Sequence, residues 1–183
     1  MLNMNDLSQH IILAAPALDD IFLGRSVIYI EHHDNNGAKG YIINQSMGVS
    51  MAELFDKLNF PKANIALQKM RDIPVLMGGP EEQSSGQVLY PNISDNTVTI
   101  SSSRQIIEKI VENQGPPNFR IVLGCCQWEA NQLEQEITQG KWLVTSLSLN
   151  LLFDCDLSTC WKNALRHIGI RHTWALTRTT GHA

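Results

Sequence analysis

Residues 119–137 read FRIVLGCCQWEANQLEQEI, and how this stretch divides decides the fold. Its first six residues are nearly all apolar, the pattern of a strand buried on both faces and therefore central in a sheet. From Asn131 onward, Leu133 and Ile137 recur at helical spacing and Gly140 supplies a stop. Cys125 and Cys126 stand between the two runs. We read them as the end of the strand, small residues at a strand-to-helix corner, because a buried thiol packs as a small apolar side chain. Adjacent side chains of an extended chain point to opposite faces, so the two sulfurs cannot easily share one ion.

Upstream, residues 97–124 give strand, helix and strand. The helix SRQIIEKIVEN has Ser102 or Ser103 as its cap and Ile106, Ile107, Ile110 and Val111 as its apolar face. This unit predicts a right-handed crossover and a parallel pair. Earlier still, IPVLM is a strand stopped by Gly78-Gly79-Pro80, GQVLY is another, and residues 64–71 read as loop. SMAE, from Ser50, is a capping box opening a helix with Met51, Leu54, Phe55 and Leu58 on one face. Residues 26–31 and 40–44 form a hairpin about HDNNG, where Asn36-Gly37 tolerates positive φ. HIILAA is a buried strand ended by Pro16, after which LDD turns the chain. Downstream, KWLVTS is a strand, SLNLLF is ambiguous, and RHTWALT is a last strand. STCWKNALRHIG is a helix with Cys160, Trp161, Ala164, Leu165 and Ile168 inward. Hairpins mixed with a crossover predict an α+β fold with a mixed, partly antiparallel sheet.

A chain of 183 residues fits a single domain spanning 1–183 and buries a core without disulfide support. Fourteen basic residues lie scattered among 18 acidic ones, for a net charge of −4. That balance argues against direct nucleic-acid binding, which draws affinity from neutralised phosphates. The N-terminal MLNMNDLSQH lacks the pattern of a secretory signal, and no apolar run approaches the roughly 20 residues of a membrane span. The expectation is a cytoplasmic protein with no membrane partner and with four reduced thiols.

No catalytic signature emerges, so catalytic residues stay unknown. The cysteines are adjacent or spaced C-x4-C (155, 160), unlike paired zinc ligands, and no metal or cofactor is expected. Cys126 is the redox candidate, given the helix that follows it. His32 and His33 read as surface histidines, and DNNG as a turn and not a calcium loop. Ser26 could be a nucleophile, although a strand-end hydroxyl more commonly bonds backbone. Gly78-Gly79 is a turn that also permits close backbone approach. Glu134 and Glu136 lie two apart on the helix, diverge, and read as a solvated face.

The strings AAPALDDIFLGRSVIYIEHHDNNGAKGYIIN, GGPEEQSSGQVLY, GCCQWEANQLEQEITQGKWL and the ending TTGHA together resemble the YqgE/AlgH family of small bacterial proteins. The P-x-L-x-D, G-G-P and Q-L-E-x-E-I pieces carry the resemblance, which covers nearly the whole chain. It implies a bifurcated sheet curling into a partial barrel with helices packed outside. It also implies a regulatory role, since one member is named as a regulator of alginate production. The family offers no agreed catalytic residues. This chain departs from it in having Gln45-Ser46 after Asn44, Ser85 and Tyr90 in the GQVLY piece, and Cys125 and Cys126 where relatives usually carry Tyr and Ala. Cations are thereby lost at two motif positions. At Asn131 a relative's Gly is replaced by a residue that tolerates left-handed φ, and NQLE is itself a capping box.

The favoured function is a non-enzymatic binding or regulatory protein, a transcriptional regulator by family association. Its partner would be an unknown protein or small-molecule ligand, met by Ser26, Asn44, Gly78, Gly79, Trp128 and Gln132 at strand ends and turns. The alternative is a thiol-based redox sensor or enzyme using Cys126.

Overall fold

The computed structural model describes residues 6–59, 70–102 and 104–171. In chain order the elements are β1 (His10–Ala14), β2 (Val27–Asp34), β3 (Gly37–Ile42), β4 (Ser46–Ser50), α1 (Met51–Lys57), β5 (Pro74–Met77), β6 (Glu81–Asn92), β7 (Thr97–Ser101), α2 (Arg104–Val111), β8 (Arg120–Glu129), α3 (Gln132–Thr138), β9 (Trp142–Ser146), α4 (Leu149–Phe153) and α5 (Cys160–His167). All nine strands belong to one mixed α+β sheet that is not closed, with the path β4-β5-β8-β3-β2-β1-β9 and with β6 and β7 branching from β8.

The central strand is β8, as its apolar run predicts, but it does not stop at the cysteines. It continues through Trp128 to Glu129 and changes partners on the way. Ile121 to Leu123 pair in parallel with β5, whereas Cys126 to Glu129 pair antiparallel with β3. Gly78 sits in the fork: its N–H donates to Leu123 O (2.8 Å) and its carbonyl accepts from Ile42 N–H (2.7 Å). The backbones there approach so closely that a Cβ on Gly78 would lie 2.3 Å from Gly124 O, and one on Gly79 2.1 Å from the Cys125 carbonyl carbon. Gly124 itself takes φ +79, a left-handed conformation suited to glycine. The twin cysteines therefore lie beside the point where the sheet divides, where the close backbone approach leaves no room for a Cβ at positions 78 and 79.

The parallel pair differs from the one expected. β7 and β8 do not pair; each pairs antiparallel with β6, which lies between them. The strand that joins β8 in parallel is β5. Local pattern alone did not show that GQVLY is the core of a long strand, Glu81–Asn92, long enough to serve both neighbours.

Both faces of the sheet are covered. Alternation along β1 sends Ile11 and Leu13 to one cluster, with Tyr29, Tyr41, Cys125 and the inner face of α5, and Ile12 and Ala14 to another, with Ile28, Cys126, Trp128 and Leu133 of α3. Adjacent cysteines thus face opposite cores. A third cluster gathers Met51, Phe55, Val75, Ile110 and Val111. Trp161 anchors α5 by donating its indole N–H to Ala14 O (2.8 Å).

Several local expectations are corrected. The Ser50–Glu53 capping box forms, but Leu58 is 61% exposed and Ala52 takes the inner position. The hairpin turn is Asn35-Asn36, with Asp34 paired to Gly37, and Asp34 Oδ1 accepts from Asn36 N–H (2.7 Å). SLNLLF resolves into α4, capped by Ser148. Asn131 uses its tolerance of left-handed φ (63°) and makes no side-chain capping hydrogen bond, whereas an N-cap that bonds the helix ordinarily has extended backbone. Ser103, the residue preceding α2, most of the expected 64–71 loop, the strand at RHTWALT and the ending TTGHA lie outside the described residues.

Candidate functional site

The six candidate residues fall into three places. The first is built on α3. Gln132 Oε1 accepts from Glu129 N–H (2.9 Å), and Gln132 Nε2 donates to Glu136 Oε1 (3.2 Å). Glu136 Oε2 accepts from the indole N–H groups of Trp128 (3.0 Å) and Trp142 (2.7 Å), whose rings meet edge to face with centroids 6.1 Å apart. Glu136 is thus no solvated-face residue. Its carboxylate is the acceptor that lets two large indoles be buried, since a buried N–H left unpaired is costly. Two residues from Glu136 along the helix, Glu134 Oε1 lies 3.1 Å from His33 Nε2. His33 is buried and accepts from Leu7 N–H at Nδ1 (3.0 Å), which places its proton on Nε2, toward Glu134. Its neighbour His32 is exposed, as expected. The glutamates diverge as their spacing requires, each clamping α3 to a different strand, β8 or β2.

The second place is the fork. Cys126 Sγ is buried against Gly78 O (3.7 Å), and burial pushes its thiol pKa up to about 12. Cys125 donates to Glu82 Oε2 (3.6 Å), with Gln127 Nε2 3.5 Å from its sulfur, and burial raises its pKa too. These are the properties of packed thiols, and the redox alternative at Cys126 gains nothing from them.

The third place is the loop between β1 and β2. Asp20 Oδ1 accepts from the N–H groups of Phe22 (2.8 Å) and Leu23 (2.7 Å). Ser26, fully buried, donates its hydroxyl to Leu23 O (2.6 Å). Asn44 bridges two chain segments, accepting from Val27 N–H (2.8 Å) and donating to Arg25 O (2.9 Å). Gln45 Nε2 donates to Phe22 O (2.9 Å). Leu18 and Leu23 pack down onto the cluster around Trp128. This knit loop holds Ile21 97% and Phe22 57% exposed. The sequence reading passed over Ile21 and Phe22. The available signal was an apolar pair directly after the turn residues of LDD, where nothing calls for burial.

Comparison with known proteins places this architecture. The AlgH-like family profile matches residues 11–173. A protein of Coxiella burnetii named UPF0301 protein is 36% identical over 185 residues, covering 100% of both chains. Its namesake in Shewanella oneidensis is 34% identical, covering 98% of this chain and 100% of that one. The solution structure of the AlgH protein from Pseudomonas aeruginosa superposes with a TM-score of 0.76 at 28% identity, over 100% of this chain and 99% of that one. A crystal structure of a Corynebacterium diphtheriae protein shares the fold, with a TM-score of 0.69 at 17% identity over 90% of each chain. The chain belongs to the AlgH-like family, the YqgE/AlgH family that its motifs resemble.

Proposed function

We propose that this protein is a non-enzymatic binding protein of regulatory role, a single cytoplasmic domain that engages a protein partner through the exposed pair Ile21 and Phe22. One observation carries the reading: the β1–β2 loop spends its polar groups on holding itself rigid while turning two large apolar side chains outward. A preorganised apolar anchor loses little freedom on docking, and so suits recognition. In this reading Ser26 and Asn44 act on the partner indirectly, by fixing the loop. The regulatory part rests on the family resemblance. The cytoplasmic part is supported by four free cysteines, which suit a reducing compartment, and no described helix is long and apolar enough to cross a membrane.

The test is quantitative cross-linking in cell extract with wild type and the Ile21→Asp/Phe22→Asp variant. The reading expects a partner captured by wild type and lost by the variant, at equal melting temperature. Equal capture by both proteins contradicts it.

A further inference from the structure

The segment ahead of β1 is held to the sheet by a histidine. Leu7 is fully buried, in the cluster that contains Ile28, Ile30, Trp128 and Leu133. Its N–H donates to Nδ1 of the buried His33 (3.0 Å). The segment bonds β2 at further points: Ser8 Oγ accepts from His33 N–H (3.0 Å), and Gln9 N–H donates to Ile30 O (2.8 Å). A backbone N–H can only donate, so Nδ1 must be bare for the Leu7 bond to exist. On the other side of the ring, Nε2 faces Glu134 Oε1 at 3.1 Å. The imidazole thus lies between a donor that opposes a second ring proton and a carboxylate that attracts one.

We propose that His33 is a proton-operated latch on the N-terminal segment: a proton taken up at Nδ1 sets donor against donor at Leu7, releases residues 6–9 from β2 and draws Leu7 out of the core. Histidine is the side chain whose charge ordinarily changes between about pH 5 and 8. The groups around the ring decide the direction. Glu134, on α3, stays beside the ring when the segment leaves and goes on stabilising the imidazolium. The Leu7 N–H departs, and water replaces it as an acceptor for the new Nδ1–H. The released form therefore binds the proton more tightly than the latched form, and acid favours release. Asp6, the exposed carboxylate of the segment itself, also senses the ring's charge and leaves with the segment, which works the other way. Water screens that exposed charge, so a direct donor clash at 3.0 Å outweighs it. His32 is exposed and paired with Asp34 Oδ2 (3.1 Å), and His10 points Nδ1 at Ser8 O (3.0 Å), a contact that a protonated ring keeps. Neither of these histidines opens the segment.

The test follows amide hydrogen exchange of the full chain by NMR from about pH 8 to about pH 5, corrected for the intrinsic pH dependence of exchange. Imidazole nitrogen shifts report the state of the His33 ring in the same samples. Protection of the Leu7 and Gln9 amides is expected to fall together, by up to about tenfold per pH unit, as the ring gains its proton. Val122 in β8 is expected to stay protected. His33→Gln, whose amide does not titrate, is expected to abolish the pH dependence. Should that buried change prevent folding, Glu134→Gln keeps the test alive: it removes the carboxylate that attracts the proton, and release should move to lower pH by about one unit. A ring that titrates while Leu7 and Gln9 stay protected, or one that stays neutral throughout, would overturn the proposal. So would loss of Val122 protection together with Leu7, an unchanged profile in folded His33→Gln, or an unmoved one in Glu134→Gln.

Discussion

Two regions of this molecule use polar side chains in opposite ways. Around α3, Gln132 holds Glu136, whose hydrogen bonds allow two tryptophans to be buried under the helix, while Glu134 lies against the buried His33. In the β1–β2 loop, Asp20, Ser26, Asn44 and Gln45 satisfy the backbone, so that the apolar groups Ile21 and Phe22 can stand outside. Motif residues build both regions, yet only the loop leaves an apolar surface that a partner would gain by covering. The lesson is that a conspicuous polar motif can be scaffold, while the surface proposed for a partner is marked by apolar residues that the scaffold leaves outside.

The contrast can be broken in steps. Gly79→Ala is expected to cost about 4 kcal/mol or more, or to prevent folding, because its Cβ would collide with the Cys125 carbonyl. Urea unfolding measures it. Glu136→Ala leaves both indole N–H groups unpaired and is expected to cost about 3 kcal/mol. Adding Trp142→Phe should return part of that loss, and strict additivity would show that the carboxylate is not shared. Asn44→Ala is expected to cost about 2 kcal/mol through the unpaired Val27 N–H and to weaken partner capture as the loop loosens. A last effect is confined to alkaline pH. Burial pushes the Cys126 thiol up from its ordinary value near 9.0 to about 12 in the folded chain. Between those values the unfolded chain holds fewer protons, so stability falls as pH rises through the window. Chemical denaturation across it should show a shallower fall in Cys126→Ala than in wild type.

Much of the fold was legible because periodicity is a local property. The β2–β3 hairpin, the Ser50 box, the inner face of α5 and the central place of β8 all follow from residues close together in sequence. What escaped depended on distant partners. The β5–β8 pairing and the fork are set by Gly78, Gly79 and Gly124, whose need to lack a Cβ appears only once two backbones meet. Of the candidate residues, Trp128 and Gln132 come together in one hydrogen-bonded cluster, but the group that joins them, Glu136, looked like surface charge. Helical spacing shows which side of a helix a residue occupies, not whether an indole will reach it. His33 was hidden for the same reason, since its partners Leu7 and Glu134 lie far along the chain.

The measurement that bears most directly on the central claim compares partner capture and melting temperature for Ile21→Asp/Phe22→Asp and Glu136→Gln. If the α3 cluster is scaffold and the loop is the contact surface, the loop variant keeps wild-type melting, within about 0.5 kcal/mol, and loses its partner. The Glu136→Gln protein then melts earlier and keeps its partner while folded. Loss of the partner in folded Glu136→Gln, with undiminished capture by the loop variant, would contradict the account.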